Sequence, residues 1–152
     1  MEDMDEILNQ YGIGENFIVS AIQVKKTYEK MCAEAIGDLH LTQNEVDIML
    51  FLLHNEQIDT AADIAKYRCL SKSQVCKSVD ALTRGGYLLV KQDQRDRRYQ
   101  HLHLSERGIQ IMKELEKRRK DFLNRMKKNI SEEEMDTFRR VLHKIRKNVT
   151  HS

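Results

Sequence analysis

The fold is decided by residues 70–108, which read LSKSQVCKSVDALTRGGYLLVKQDQRDRRYQHLHLSERG. Near its start, Ser71-Lys-Ser-Gln74 fits a capping box, in which the serine hydroxyl accepts a hydrogen bond from an unpaired backbone amide and the glutamine reaches back. Gly85 and Gly86 end the helical pattern, because glycine accepts the left-handed conformation that follows many helices. We therefore predict a helix over residues 71–84.

An alternating pattern follows the two glycines. Residues 87–92 (YLLVKQ) and 99–104 (YQHLHL) are typical of strands, and in the second one the leucines and the histidines occupy opposite faces. Residues 93–98 (DQRDRR) are charged and lack the Asn-Gly signal of a tight turn. This pattern predicts a β-hairpin with a charged tip.

A shorter helix precedes this stretch and completes a recognisable pair. Residues 60–67 are helical in pattern, and only residues 68–70 separate them from the next helix, which are the proportions of a helix-turn-helix. In the second helix an apolar stripe is formed by Val75, Val79 and Leu82. The opposite face carries small polar and basic residues, namely Ser73, Lys77 and Arg84, flanked by Gln74 and Ala81.

The charge distribution points to a polyanionic partner. The net charge is only +2, yet residues 66–98 contain nine lysines and arginines against three aspartates. Three of these bases, Arg95, Arg97 and Arg98, lie at the hairpin tip, where a narrow DNA minor groove would attract them. Internal pairing with nearby aspartates is the alternative use of such a tip. With the helix in the major groove and the tip in the minor groove, the expected module is a winged helix-turn-helix that binds double-stranded DNA.

Four further helices are predicted at residues 14–39, 43–55, 105–128 and 131–149. Thr42-Gln-Asn-Glu45 and Ser131-Glu-Glu-Glu134 fit capping boxes at the starts of the second and the last of these helices. The first and last of them carry apolar seams with alternating spacings of three and four residues, as in coiled coils. Such seams pack either against the chain's own core or against a second subunit, and we favour a homodimer. The seam positions are Phe17, Ala21, Val24, Tyr28, Met31 and Ala35 in the first helix, and Met135, Phe138, Leu142, Ile145 and Val149 in the last.

The whole chain, residues 1–152, is thus predicted to form one mainly α domain with a small β-hairpin wing. Residues 42–108 form the winged helix-turn-helix, while residues 14–41 and 109–152 supply long dimerisation helices at the two ends. A chain of 152 residues without proline and with six glycines does not suit an all-β fold, which needs many turns.

Other classes of protein are excluded by simple counts. The longest apolar run, residues 48–53, is far too short to cross a membrane. Residues 1–15 contain five acids and no base, which is the wrong charge for a signal peptide. Three cysteines do not make a disulfide framework, so the expected location is the cytoplasm.

Residues 70–108 resemble the multiple-antibiotic-resistance regulator (MarR) family of bacterial transcription factors, and the order of elements resembles that family over almost the whole chain. The resemblance implies an obligate homodimer that binds an inverted-repeat operator, usually as a repressor. The matching features are Leu70-Ser-Lys-Ser, Val79-Asp80-x-Leu82, Gly86-Tyr87, Asp96-Arg97-Arg98 and Leu102-x-Leu104-Ser105-x-x-Gly108.

The same resemblance implies roles for individual residues. At the wing, Arg95 or Arg97 would enter the minor groove, while Asp96 with Arg98, or Asp80, would supply the internal pair that holds the shape of the hairpin. Which arginine does which job stays open, so Arg98 also remains a candidate for DNA contact. The major groove and its flanking phosphates would be contacted by Ser71, Lys72, Ser73, Gln74, Lys77 and Ser78.

The family resemblance also implies an effector, commonly a small aromatic or amphipathic molecule, bound between the dimer helices and the winged module. Apolar positions that could line its pocket are Phe17, Ala21, Met49, Leu53 and Ile111, although each of them could equally belong to the core.

The cysteines raise a minority alternative, a thiol-based redox regulator. Cys32 lies beside the apolar seam and Cys76 fits a packed position, whereas Cys69 has basic neighbours that favour a thiolate. The family's peroxide sensors carry their cysteine nearer the N-terminus, at a position that this chain does not match.

Metal binding and catalysis find little support. His101 and His103 share a strand face, but the helix after the wing lacks the histidine cluster of zinc-sensing relatives, and we expect no metal or cofactor. No nucleophile with a base and no phosphate loop occurs, so an enzyme is not expected. The remaining alternative is a protein-interaction adaptor or antirepressor, which would have no need for three arginines in its wing.

Overall fold

The computed structural model describes residues 3–151 of the chain. Its elements are mostly helical and follow the predicted order. They are α1 (Met4–Gln10), α2 (Ile13–Ile36), a 3-10 turn (Gly37–Leu39), α3 (Gln43–His54), α4 (Ala61–Arg68), α5 (Lys72–Arg84), β1 (Leu88–Gln92), β2 (Gln100–Leu104), α6 (Glu106–Met126) and α7 (Glu132–Thr150). The mainly α winged-helix architecture predicted from the sequence is confirmed.

The predicted and observed elements differ in two places near the N-terminus. The first long helix ends at Ile36 instead of residue 39, because Gly37 adopts a positive φ of 58° and a 3-10 turn follows. The short helix α1 was not predicted. It is capped by Asp3, buries Leu8, and is tied to α2 by the side-chain amide of Asn16, which donates to the Leu8 carbonyl over 2.9 Å.

The chain forms two compact units, Met1–Arg118 and Arg119–Ser152, with the boundary inside α6. In the first unit, α3 is the central element, since it packs against α2, α4, α5 and β2. Its side chains Ile48 and Met49 are fully buried. They share a continuous core with fully buried residues of α2, α4, α5 and α6, namely Cys32, Ile64, Val75, Leu82 and Met112.

The two strands pair in antiparallel fashion as the predicted hairpin. Leu88 faces Leu104 and Val90 faces Leu102 across the ladder. Leu88 and Leu102 are each 2% exposed, so the apolar face of the hairpin closes the core as the alternation predicted. The polar face of β2 carries the two histidines.

The apolar seam of α2 divides between two environments. Tyr28, Met31 and Ala35, in its C-terminal half, pack against the core of the same chain. Its N-terminal half is more open, since Phe17 is half-buried while Ala21 and Val24 are exposed. Packing against the chain's own core therefore accounts for only the C-terminal half of the seam.

The second unit contains the end of α6, a turn with Asn129 in the left-handed conformation, and α7. Ser131 and Glu134 form the predicted capping box at the start of α7. Leu123, Met126, Ile130, Met135 and Phe138 line an open apolar cavity of about 650 Å³. Further along α7, Val141 and Val149 are exposed.

Within residues 3–151, no helix is both long enough and apolar enough to cross a lipid bilayer.

Candidate nucleic-acid interface

The helix-turn-helix is built by side-chain caps at both of its helices. Thr60 caps α4, because its hydroxyl accepts a hydrogen bond from the Asp63 amide over 3.2 Å. Cys69 then takes the left-handed conformation, with φ 54°, and its amide bonds to the Ala65 carbonyl. These two features end α4 after eight residues and turn the chain into α5.

The start of α5 is a complete capping box. The Gln74 amide donates to the Ser71 hydroxyl over 3.1 Å, and the Ser71 amide donates to the Gln74 side-chain oxygen over 2.9 Å. Both residues were predicted to contact DNA, and the structure shows that their side chains also hold the end of the helix. An N-terminus of this kind carries partial positive charge and free amides that suit a phosphate.

The exposed face of α5 contains most of the residues predicted for the major groove. Lys72, Ser73 and Lys77 are exposed, and no hydrogen bond or ion pair engages their side chains among residues 3–151. Arg84, near the end of the same helix, donates from Nε to the Asp80 carbonyl over 3.4 Å. Short hydroxyls and cations are thus presented together along one helix face.

Two predictions about α5 are corrected by the structure. Ser78, predicted to contact DNA, is only 6% exposed, because it lies three residues after Val75 and four before Leu82 on the buried side of the helix. Cys76, predicted to be packed, is exposed instead. The accessible face is therefore rotated slightly from the one that the resemblance implied.

The wing tip is organised by Asp93. One oxygen of its carboxylate, Oδ1, accepts the backbone amides of Arg95 and Asp96 over 2.7 and 2.8 Å. The Asp93 amide donates to the Tyr99 carbonyl over 2.9 Å. A side-chain-capped turn therefore replaces the two-residue turn that the sequence lacks, and it fixes the backbone that carries the arginines.

The three tip arginines fall into two groups. Two nitrogens of Arg98 donate hydrogen bonds to the Asp96 carboxylate, Nε over 3.0 Å and Nη2 over 2.8 Å. The guanidinium groups of Arg95 and Arg97 are exposed and have no ion pair among residues 3–151. Asp80 lies exposed on α5 and likewise forms no ion pair in the described part of the chain, so it does not supply the wing-shaping pair proposed for it.

The base of the wing is fastened to α6 by residues with no assigned role in the sequence analysis. The Ser105 hydroxyl donates to the Gly86 carbonyl over 2.6 Å, and the Gly108 amide donates back to that hydroxyl over 3.1 Å. The Arg107 guanidinium lies 4.6 Å from the centre of the Tyr87 ring. Both ends of the hairpin are therefore held at the start of α6.

His101 is the main site residue that sequence reasoning missed. It lies on β2, and its imidazole Nδ1 is 2.7 Å from Asp59 Oδ1 while Nε2 is 2.8 Å from Asp93 Oδ2. Asp59 is buried and belongs to the loop before α4. The backbone supports the same contact, since the Leu102 amide donates to the Asp59 carbonyl over 2.9 Å.

The ion pairs of the wing shift the ionisation of its members. Hydrogen bonds from His101 and from the backbone amides of Asp96 and Arg95 lower the pKa of Asp93 to about 2. Hydrogen bonds to Asp59 and Asp93 raise the pKa of His101 above its ordinary value. The bond from Arg98 likewise lowers the pKa of Asp96. Asp93 and Asp96 are therefore both ionised at neutral pH.

The residues predicted for an effector pocket do not meet around one described cavity. Met49 is fully buried, and Leu53 and Ile111 pack against the core, so these three serve the interior. Phe17 is half-buried and Ala21 is exposed on α2. Only Leu53 lines a described cavity, of about 460 Å³, together with Leu52, Glu56, Leu102, His103, Leu104, Ile109 and Lys113.

None of the three cysteines forms a disulfide within residues 3–151. Cys32 is buried, as predicted, while Cys69 and Cys76 are exposed in the helix-turn-helix. Among residues 3–151, no group of three or more histidine, cysteine, aspartate or glutamate side chains has an arrangement suited to a metal ion.

Comparison with known proteins agrees with this geometry. Residues 41–108 match the family described as a winged helix DNA-binding domain. No curated protein matches the chain at the level of sequence. Solved structures do match over nearly the full length, at low identity. The transcriptional regulator PA3341 has a TM-score of 0.78 and 19% identity, with 90% of this chain and 99% of that chain covered.

Two further structures extend the comparison. A MarR-family regulator from Silicibacter pomeroyi has a TM-score of 0.74 and 17% identity, covering 97% of both chains. MepR from S. aureus, solved in complex with DNA, has a TM-score of 0.74 and 18% identity, covering 90% of this chain and 97% of that one.

The match over residues 41–108 identifies that part of the chain as a winged-helix domain of a DNA-binding family. From α2 to α7, the order of elements is similar to the fold of the MarR-family regulator from Silicibacter pomeroyi, a likeness of fold at 17% identity. The resemblance to the MarR family that was stated from the sequence is confirmed at the level of the fold.

Proposed function

We propose that this protein is a homodimeric, sequence-specific transcriptional regulator of the cytoplasm, which represses transcription by binding an inverted-repeat operator. The main support for the proposal is that one wing arginine is paired with an aspartate and the other two are not. Arg98 is bonded to Asp96, whereas the guanidinium groups of Arg95 and Arg97 extend from a fixed backbone and form no ion pair within residues 3–151. Unpaired arginines on a rigid tip are suited to an anionic partner.

The helix-turn-helix supplies the second half of the interface. Lys72 and Lys77 suit phosphates, and Ser73 and Gln74 are residue types that bond phosphates or base edges. The MepR structure with DNA supports this use of the fold, since it covers nearly the whole of the present chain. One module would read one half-site, with α5 in the major groove and the wing tip in the minor groove beside it.

Dimerisation is supported by apolar surface at both ends of the chain. Ile13, Ile18 and Ile22 on α2 are 87%, 58% and 49% exposed, and Phe138 and Val149 on α7 are 50% and 69% exposed. Apolar side chains repeated along a helix at this exposure are costly in water and suit a second copy of the same helices. Two modules could then occupy half-sites about 34–36 Å apart, one turn of DNA.

An effector site is proposed at the cavity beside Leu53. Its walls are apolar, from Leu52, Leu53 and Ile109, while Lys113 and His103 stand at the same cavity with polar nitrogens. A small amphipathic molecule with an acidic group suits this combination. Because β2 forms one wall, a bound molecule could shift the wing and weaken DNA binding through different affinities for the two states.

Selection of bound fragments from random double-stranded DNA tests the proposal. We expect enriched fragments to contain an inverted repeat whose half-sites are about one helical turn apart. Light scattering of the same protein should give twice the mass of one chain. Fragments without any shared sequence would contradict sequence-specific regulation, and a monomer that binds single half-sites would contradict the dimer.

Salt should weaken the complex steeply. Each lysine or arginine that neutralises a phosphate releases a counterion, so the logarithm of the affinity falls linearly with the logarithm of the salt concentration. Replacing Lys77 by alanine should reduce that slope by about one, because one phosphate contact is lost. Lys147 on α7 provides the control, since its replacement should leave the slope unchanged. Fluorescence anisotropy at several salt concentrations measures both, and equal slopes for all three proteins would remove Lys77 from the interface.

A further inference from the structure

A continuous set of hydrogen bonds joins the loop before α4 to the arginines of the wing. Asp59, next to the cap residue of α4, bonds to His101 Nδ1 over 2.7 Å. His101 Nε2 bonds to Asp93 over 2.8 Å. The other oxygen of Asp93 accepts the backbone amide of Arg95 over 2.7 Å. We call these contacts the wing clamp; its three side chains are Asp59, His101 and Asp93.

The clamp spans parts of the chain that are otherwise distant in sequence. Asp59 and His101 are 42 residues apart, and Asp93 is eight residues from His101. The side chains of Asp59, His101 and Asp93 are 12%, 32% and 30% exposed, so the contacts are partly shielded from water. Each of the three hydrogen bonds is shorter than 3 Å. Displacement of the imidazole would break the two that it makes, and these are the side-chain bonds that link Asp93 at the tip to Asp59.

We propose that His101 is a positioning residue for DNA recognition, which in its doubly protonated form locks the wing tip to the loop before α4. The inference rests on the proposed DNA-binding function. Its basis is that both imidazole nitrogens face carboxylate oxygens, and only the imidazolium can donate to both at once. A neutral ring donates from one nitrogen and turns a lone pair toward the other carboxylate, which weakens one of the two bonds.

Among the charged groups around His101, the carboxylates of Asp59 and Asp93 are the closest. Lys91 is its neighbour across the ladder, and Arg95 and His103 line the same surface cavity. His103 Nε2 is 3.7 Å from Asp59 Oδ2, beyond hydrogen-bonding distance. Several charged groups of the packed helices have partners of their own: His54 pairs with Glu116, Asp63 with Thr60, and Arg68 with Asp47. Lys66 on α4 lies 5.3 Å from the centre of the Tyr67 ring.

The sign of the pH effect follows from the two shifted groups. The pKa of His101 is raised above 6.5, so its contribution is complete below pH 6.5 and is lost as the pH rises through the raised value. The pKa of Asp93 is lowered from 3.8 to about 2, so its contribution is complete above pH 3.8 and disappears only in strong acid. The clamp is therefore strongest in mildly acidic solution and opens on the alkaline side.

The test compares DNA binding by the wild type and His101→Gln from about pH 6 to about pH 9, across the range where histidine titrates. The wild type should lose affinity as the pH rises. His101→Gln should bind roughly three- to tenfold more weakly at the acidic end, where the clamp is closed, and should show a flatter pH profile. His143→Gln is the control, because it removes an exposed imidazole from α7, outside the winged module, and leaves both short bonds intact.

A second measurement reads the clamp without DNA. Nuclear magnetic resonance of the imidazole in the full-length protein should show His101 titrating above the ordinary histidine pKa, and Asp93→Asn should lower the pKa of His101. A titration at or below the ordinary pKa, or one that ignores Asp93→Asn, would overturn the clamp. Equal pH profiles for the wild type and His101→Gln, or equal losses in the two glutamine variants, would overturn the positioning role. If no DNA binds at any pH while His101 titrates high, the DNA-binding function fails, and the positioning role falls with it although the clamp stands.

Discussion

Replacing Arg95 or Arg97 with alanine should weaken operator binding by about 1–3 kcal/mol each. The reason is that both side chains lie on a tip whose backbone is fixed by Asp93, so no ordering of the hairpin is needed before they enter the groove. Neither guanidinium has an ion pair within residues 3–151 that would have to break first. The dissociation constant for the selected operator, measured by anisotropy at one salt concentration, gives the loss directly.

Arg139→Ala is the control for charge alone. Arg139 lies on α7 and pairs with Asp136 over 2.6 Å, so this variant removes one positive charge outside the winged module. We expect it to retain wild-type affinity within about 0.5 kcal/mol, as for surface substitutions in general. Arg98→Ala should act differently, because it frees Asp96 and disturbs the tip. Full affinity in both Arg95→Ala and Arg97→Ala would refute a role of the wing in binding.

The second large effect is expected from Gly108→Ala, which should lower the free energy of unfolding by about 3 kcal/mol. A Cβ atom at this position would overlap the backbone carbonyl oxygen of Tyr87. It would also meet the side chains of Leu104 at 3.3 Å and Met49 at 3.4 Å. A carbonyl at the start of the wing cannot move aside as a flexible side chain could, so α6 and the hairpin would have to separate. Urea unfolding followed by circular dichroism measures the change.

Gly14→Ala is the matched control. This glycine also lies near the start of a helix, but a Cβ there would meet nothing within 4 Å. Alanine should therefore be neutral or should stabilise α2 by up to about 1 kcal/mol, because it restricts the unfolded chain. If Gly108→Ala were as stable as the wild type, the close packing of α6 on Tyr87 would not be a determinant of the fold.

Local signals in the sequence predicted much of the structure. The capping boxes at Thr42, Ser71 and Ser131 all form with both of their hydrogen bonds. The alternation in β2 placed Leu102 in the core and the histidines outside it. These features succeed because each depends on residues within a few positions of one another, where the geometry of a helix end or a strand is already known.

The structure differs from the sequence predictions where residues distant along the chain make contact, or where the local sequence pattern is weak. His101 meets Asp59 across 42 residues, and no local periodicity contains that contact. The burial of Ser78 follows from helix geometry, since it lies between Val75 and Leu82, although the family resemblance implies a DNA contact at this position. Helix α1 was overlooked because seven residues carry too short a pattern, although Asp3 provides its cap.

The bond between the Leu102 amide and the Asp59 carbonyl also bears on how the hairpin behaves toward other molecules of the protein. It occupies the edge of β2 that faces away from β1. Within residues 3–151, the side of the sheet that is open to a further strand is therefore the outer edge of β1. That side is five residues long, contains Lys91, and runs into the charged tip. A short edge with a lysine is a poor template for strand pairing. The wing can thus be exposed for DNA without inviting aggregation between chains.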